Sequence, residues 1–474
     1  MIFISSLPNI ESIIDLERVS PMEAPLNVSH VCRSWRNIAL ATPALWTRLW
    51  FVKQQEENWT ISATEAVFSL FHTFLERSAH CGLHIRLFIP FDKSQQGDLE
   101  YLVGMTDAIV AVQHRWEVAS ITTSSTVWSR GFINNRNWSL NKLTRVRELS
   151  FDLDRVRPGE DPEVVVHPFD LDVSGAVDMV KLSLLDGSRF AMQLRVNEGT
   201  CLPKLKLLGV KGGSNLENTF KLLRCTSSLE ELRLEVPEVR ADGRVRSMCR
   251  IPSLRTFRLD LMHADNTQSL HQSQNVLRHL ELPSLQDLKL RFLLRIMDQI
   301  FSEVVEMLRR SDAQLKTLHL TPGSLPMIIE QGSYLRLFDA LQSLETFIDK
   351  ASFNPSNLFR SLTVKPNKPA PLPNLRTLGL YGLIGGEDFD ELGACLLSRS
   401  PLDGESYPPL VLGEDTNTAG RAEVSERRSW TGTSILRKLI IINWAGDYFI
   451  KTEDLLENAV IADLYMRGLL IDFD

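Results

Sequence analysis

Cys201, Cys225 and Cys249 recur 24 residues apart in a chain of 474. Evenly spaced thiols suggest a metal comb, because stacked repeats can bring equivalent positions together. A tetrahedral site needs more donors than that, and no C-x-x-C pair or neighbouring histidine completes the set. Small apolar thiols filling a core are the expected reading. His263, His271 and His279 are spaced by eight residues, which would align them on one helix, but Asp260–Ser273 is polar and reads as a loop. Glu160, Asp161 and Glu163 sit among proline and glycine, as a solvated turn does, rather than as a general acid and base. Arg309-Arg310 and Arg427-Arg428 lack interleaved aromatic residues and read as solvated surface. No nucleophile elbow, H-E-x-x-H, Walker A or kinase signature is present. Neither a catalytic residue, nor a metal ligand, nor a cofactor is expected.

The elements that would carry any other function follow from composition and periodicity. Lys and Arg number 52 and Asp and Glu 59, for a net charge of −7. That balance argues against nucleic acid as the main ligand, which requires concentrated cations. With 43% hydrophobic residues, the chain can bury a large core. No apolar run approaches the roughly 18 residues of a membrane span. Met1–Ile10 lacks a basic leading region, so no secretory signal is expected. Six cysteines do not make a disulfide scaffold, and a reducing compartment, cytoplasmic or nuclear, is the simpler expectation.

Leucine is uneven: 21 fall in residues 1–200 and 41 in residues 201–400. The second window carries a repeated frame, apolar-x-x-apolar-x-apolar. It occurs at Leu205/Leu208/Val210, Leu229/Leu232/Leu234, Leu254/Phe257/Leu259, Leu285/Leu288/Leu290, Leu315/Leu318/Leu320, Leu375/Leu378/Leu380 and Leu436/Leu439/Ile441. Leu344/Phe347 begins another copy, with Asp349 at its third apolar position. Fainter copies read Val146/Leu149/Phe151 and Val177/Val180/Leu182. The last two positions share one face of a strand, and helical stretches such as Leu216–Leu223, Gln299–Arg309 and Asp388–Leu397 separate the frames. One strand and one helix cannot bury their own apolar face, whereas stacked neighbours can. The spacing therefore predicts an α/β solenoid over 53–474, with parallel strands inside and helices outside. Residues 401–433 insert into one repeat and read as a mobile loop, Lys365–Asn374 as a stiff connector, and Glu453–Asp474 as a helical cap.

The frame resembles irregular leucine-rich repeats, although the asparagine of that family is replaced here by Gly213, Pro237, Met262, Leu293 and Gly323. Residues 1–52 read as a three-helix module. A short helix around Ile10, Ile13, Ile14 and Leu16 follows Leu7-Pro8. Leu26, Val28, Val31, Trp35, Ile38 and Ala39 then make an apolar stripe at helical spacing, and Leu45, Trp46 and Leu49 a further helix after Thr42-Pro43. Leu7-Pro8, Pro25-Leu26, Val31-Cys32-x-x-Trp35 and Leu45-Trp46 resemble an F-box. The string SHVCRSWRNIALATPALWTRL is similar to that of the large F-box families of mushroom-forming fungi. Further similar segments, such as Phe74–Ser78 and Leu308–Ser311, extend the resemblance over nearly the whole chain.

The resemblance implies a non-catalytic substrate receptor. Leu7, Pro8, Ile13, Ile14, Pro25, Leu26, Val31, Cys32, Trp35, Leu45 and Trp46 would carry or support the face that docks a Skp-type adaptor, and through it a cullin scaffold. The repeats would then present a protein substrate for ubiquitin transfer by other subunits. In the alternative reading, the chain is a leucine-rich-repeat interaction scaffold whose box has degenerated, and Trp35 and Trp46 seal the box against the repeats. For substrate, strand alternation turns Arg233, Arg255, Arg258, Lys289, Lys316 and Arg376 to the concave face. Their charge suggests an acidic or phosphorylated segment.

Overall fold

The computed structural model describes residues 23–52, 61–89, 99–124, 140–154, 169–186, 192–195, 197, 199–211, 216–236, 247–261, 267–292, 297–322, 329–350, 355–365, 368–381, 386–399, 436–442, 455–456, 458–466 and 469–473. They belong to two compact units, residues 1–284 and residues 285–474.

In the first unit, strands β1 (Arg48–Val52), β2 (Leu83–Ile89), β3 (Trp116–Ser124), β4 (Glu148–Asp154), β6 (Lys181–Asp186), β8 (Leu207–Lys211), β9 (Glu231–Glu235) and β11 (Thr256–Leu261) pair side by side in that order. Every pair is parallel. Parallel neighbours require a long crossover between strands. Helices Ile61–Arg77, Leu99–Ala111 and Leu216–Arg224 occupy three of these crossovers. Two smaller parallel pairs accompany this sheet: β5 (Phe169–Asp172) with β7 (Met192–Arg195), and β10 (Cys249–Arg250) with β12 (Leu280–Glu281).

The register explains the frame. Leu49, Ile85, Ala119, Leu149, Leu182, Leu208, Leu232 and Phe257 are successive partners, and so are Phe51, Leu87, Ile121, Phe151, Leu184, Val210, Leu234 and Leu259. All are buried, so two apolar rows cross the sheet and set the strands in phase. The frame therefore starts far earlier than its leucines suggest, at Trp46/Leu49/Phe51 and again at Trp116/Ala119/Ile121. The copy expected at Val177/Val180/Leu182 is out of step by two residues. Val177 is 52% exposed, while Met179, Leu182 and Leu184 are fully buried and occupy the row. The stretch expected to be a loop forms the end of β11 and, from Thr267 to Arg278, a helix.

In the second unit, β13 (Asp287–Phe292), β14 (Thr317–Pro322), β15 (Thr346–Asp349), β16 (Thr377–Tyr381), β17 (Lys438–Ile442) and β18 (Leu470–Phe473) are likewise parallel in sequence order. The expected helices are present as Met297–Ser311 and Gly386–Arg399, with Gln331–Asp339 and Ser356–Leu362 between them. β16 and β17 pair directly, Leu378 beside Leu439, so the 401–433 insertion, which lies outside the described residues, does not break the sheet. Among the described residues of the tail, Ala459–Met466 is a helix, and Leu470–Phe473 adds β18 to β17. Asp349, the polar intruder in an apolar row, is buried and accepts a hydrogen bond from the Tyr334 hydroxyl. Tyr334 in turn lies in a ring cluster with Phe338 and Phe347. A buried carboxylate with such a partner is tolerable where an unpaired one is not.

Candidate functional site

Two surfaces answer to the sequence expectations, and the first is the helical start of the chain. Leu7, Pro8, Ile13 and Ile14 lie outside the described residues. From Glu23 the chain is helical to Val31, breaks at Cys32, and is helical again from Arg33 to Ala41. One continuous stripe is thus two helices, because Cys32 adopts an extended backbone and its Sγ accepts from the Trp35 N–H at 3.5 Å, as an N-cap does. Arg36 ties the pair together by donating its Nε–H to the Ser29 carbonyl at 2.9 Å.

The expected adaptor residues divide by exposure. Pro25 is buried and Leu26 half-buried, while Val31 is 61% exposed, Trp35 39% exposed, and Cys32 exposed. Ile38, which the spacing put in the same stripe, is also exposed, as is Leu40, whereas Ala39 of that stripe is buried. Leu45 and Trp46 are different: both are buried in the chain's own packing, so neither offers a surface to a partner in this structure. Trp46 ends a short 3-10 turn, Pro43–Trp46, and donates its indole N–H to the Ala39 carbonyl at 2.7 Å. Its ring meets Phe74 edge-on at 4.9 Å, and the Arg77 guanidinium lies 4.5 Å from its centroid. Leu49, expected on the same short helix, instead sits in β1.

The second surface is the open sheet face. Arg233, Arg255, Lys289, Lys316 and Arg376 are exposed and Arg258 is half-buried, in their respective units. Among the described residues, three of the six have a carboxylate partner. Arg233 contacts Glu231 at 2.6 Å and Arg258 contacts Asp260 at 3.1 Å, in each case a carboxylate two residues away on the same strand face. Lys316 approaches Glu345 of the next repeat at 4.0 Å. Sequence reasoning counted the cations between frame residues and passed over these carboxylates, which the same strand alternation brings to the same face.

Cys201 is exposed, Cys225 half-buried and Cys249 buried, and burial pushes the Cys249 thiol up to about 11, so it stays protonated at neutral pH. Among the described residues no group of three His, Cys, Asp or Glu side chains converges as a metal set. No helix among them is long and apolar enough to cross a membrane.

His319, on the open face of β14, carries a pH signature. Burial, with Lys289 and Lys350 adding to it and Asp287 opposing, lowers its pKa from 6.5 to about 4. A histidine whose folded pKa is depressed contributes stability that is complete above its unfolded pKa and is lost as pH falls toward the folded one. Stability of residues 285–474 is therefore expected to decline between pH 6.5 and about 4. The loss assigned to this ring is about 1–2 kcal/mol once its partial exposure is allowed for. Urea titrations of the intact chain and of His319→Gln at several pH values check this: the variant should show a shallower decline over that window.

No protein-family model matches the chain, and no curated protein matches it.

Proposed function

We propose that the chain is the substrate-recognition subunit of a Skp/cullin/F-box ubiquitin ligase, with an N-terminal F-box followed by irregular leucine-rich repeats. The observation that carries this reading is the exposed pair Trp35 and Ile38, one turn apart on the helix Arg33–Ala41, with Val31 exposed at the end of the helix before it. Large apolar side chains held together at a surface mark an interface, and exposed tryptophan is the residue type that most often dominates one. Within each unit, the parallel strands with crossover helices offer what a receptor needs beyond its docking module, an ordered face for a protein substrate. In this reading the adaptor contact centres on Val31, Cys32 and Trp35, extended by Leu7, Pro8, Ile13, Ile14 and Leu26. Pro25, Leu45 and Trp46 support the helices from beneath. Ubiquitin transfer belongs to other subunits, so the chain itself catalyses nothing.

Burial of Leu45 and Trp46 favours a second reading, in which the helices only cap the sheet of a repeat scaffold and no adaptor binds. Co-expression with a Skp-type protein separates the two. The receptor reading expects a complex that survives purification, and the scaffold reading expects the chain to leave the adaptor behind.

A further inference from the structure

In the first unit, the open face of β1 to β6 holds a cavity of about 210 Å³. Its walls include Trp50, His84, Arg86, Ser120, Ser150, Glu148 and Lys181. The register places Trp50 beside Arg86, Arg86 beside Ser120, and Ser120 beside Ser150, one per strand on the same face. Glu148 and Lys181 are likewise neighbours, at the far side.

This end of the face differs electrostatically from the end where Arg233 and Arg258 lie. Those two are neutralised by carboxylates of their own strands. Arg86 is half-buried, and among the described residues it makes no ion pair or hydrogen bond. The hydroxyls of Ser120 and Ser150 also have no partner among the described residues. A guanidinium held against a sheet without a counter-ion is unusual, since half-buried charge normally finds a partner. Two small hydroxyl side chains beside it leave room for a group that accepts from all three. Nδ1 of His84 is buried and has no partner among the described residues, its Nε2 lies 3.5 Å from Glu117, and burial lowers that ring's pKa despite the carboxylate, so the ring adds no second cation. Glu148 is exposed and repels anions from the Lys181 side, which confines the attraction to the Trp50–Arg86–Ser120 side.

We propose that this cavity seats one anionic side chain of a bound peptide, its carboxylate or phosphoryl oxygens on Arg86 with Ser120 and Ser150 donating and Trp50 as the flat wall. The volume suits one side chain rather than a folded element. The proposal rests on the receptor reading only for the identity of the peptide as a substrate; binding itself requires no adaptor.

The test uses the full chain and fluorescence polarisation with four labelled pools of random nonapeptides, fixed at the centre as Glu, phosphoserine, Gln or Lys. The Glu or phosphoserine pool should bind about tenfold more tightly than the Gln pool, and the order of those two identifies the natural anion. Arg86→Gln should abolish the preference and Arg86→Glu should turn it toward the Lys pool, while Arg233→Glu leaves it intact. Circular dichroism checks that each variant folds, and Lys221→Gln, on the exposed side of the helix Leu216–Arg224 and outside the cavity lining, is expected to keep the preference and serves as a control for a general loss of charge. Equal binding of all pools overturns the proposal, as does an anion preference that survives Arg86→Gln or vanishes with Arg233→Glu. If the pools discriminate but no adaptor binds, the ligase reading falls and this site stands; an adaptor complex with no discrimination gives the reverse.

Discussion

Replacing Trp46 with alanine is expected to destabilise residues 1–284 by about 3–5 kcal/mol, the usual cost of emptying a buried tryptophan site. The same change at Trp35 should stay within about 0.5 kcal/mol, as surface substitutions do. The contrast follows from position. Trp46 is the first residue of the first apolar frame and has no exposed surface. Alanine there removes the ring from Phe74 and from the Arg77 guanidinium, and takes the indole donor from the Ala39 carbonyl, which keeps the longer bond from the Thr42 N–H at 3.4 Å. Because Ala39 belongs to the helix that presents Trp35 and Ile38, the same change should also loosen that helix. Urea unfolding of both variants, followed by far-ultraviolet circular dichroism, checks the pair. Equal midpoints for Trp46→Ala and wild type would refute the packing described for this turn.

A comparable loss, about 2–4 kcal/mol, is expected for Arg399→Met in the second unit, from orphaned backbone acceptors. Arg399 is almost fully buried, and among the described residues no carboxylate pairs with it. Its guanidinium donates to the carbonyls of Leu362 at 3.0 Å and Leu372 at 3.3 Å, and to that of Pro371. Leu362 ends the helix Ser356–Leu362, whose carbonyl end favours a cation. Leu372 holds a left-handed φ of 48°, a costly conformation that the arginine helps to fix. One side chain thus joins three segments, and methionine fills its volume without satisfying any of them. Arg399→Lys should recover little, because an ammonium lacks the planar fork that reaches three acceptors. Arg115 makes a similar clamp in the first unit, on the carbonyls of Cys81 and Leu75 and the hydroxyl of Ser78. The measurement is the urea midpoint with hydrogen exchange at Thr363, whose N–H bonds the Phe359 carbonyl. Unchanged protection and midpoint in Arg399→Met would contradict the clamp.

The repeats from residue 205 onward were legible because leucine recurs there at strand and helix periods at once. Earlier repeats were hidden because Trp46, Trp116 and Ala119 do the work of leucine, and a search keyed to leucine passes over them. Val177 misled for a related reason: two overlapping apolar frames fit the same stretch, and only cross-strand register chooses Met179. The break at Cys32 was invisible to periodicity, since a cap conserves the stripe while dividing the helix. Within the candidate sites, the type of each basic residue was legible but its partner was not. Glu231 and Asp260 neutralise the arginines that seemed most available, and Arg86, set in a strand that the leucine frame did not reveal, lines a cavity instead. Arg115 and Arg399 bind carbonyls, and an acceptor that every residue carries leaves no mark in a sequence.

The receptor account turns on the exposed helical face around Val31 and Trp35. Size-exclusion chromatography of the intact chain, of Trp35→Ala and of residues 53–474, each co-expressed with a Skp-type protein, tests it most directly. The account predicts that the intact chain and the adaptor elute as one complex. Trp35→Ala should remain folded but bind about thirtyfold more weakly, corresponding to about 2 kcal/mol, and the truncated chain should capture no adaptor. An intact, folded chain that elutes apart from the adaptor, or a Trp35→Ala variant that binds as well as wild type, would contradict it.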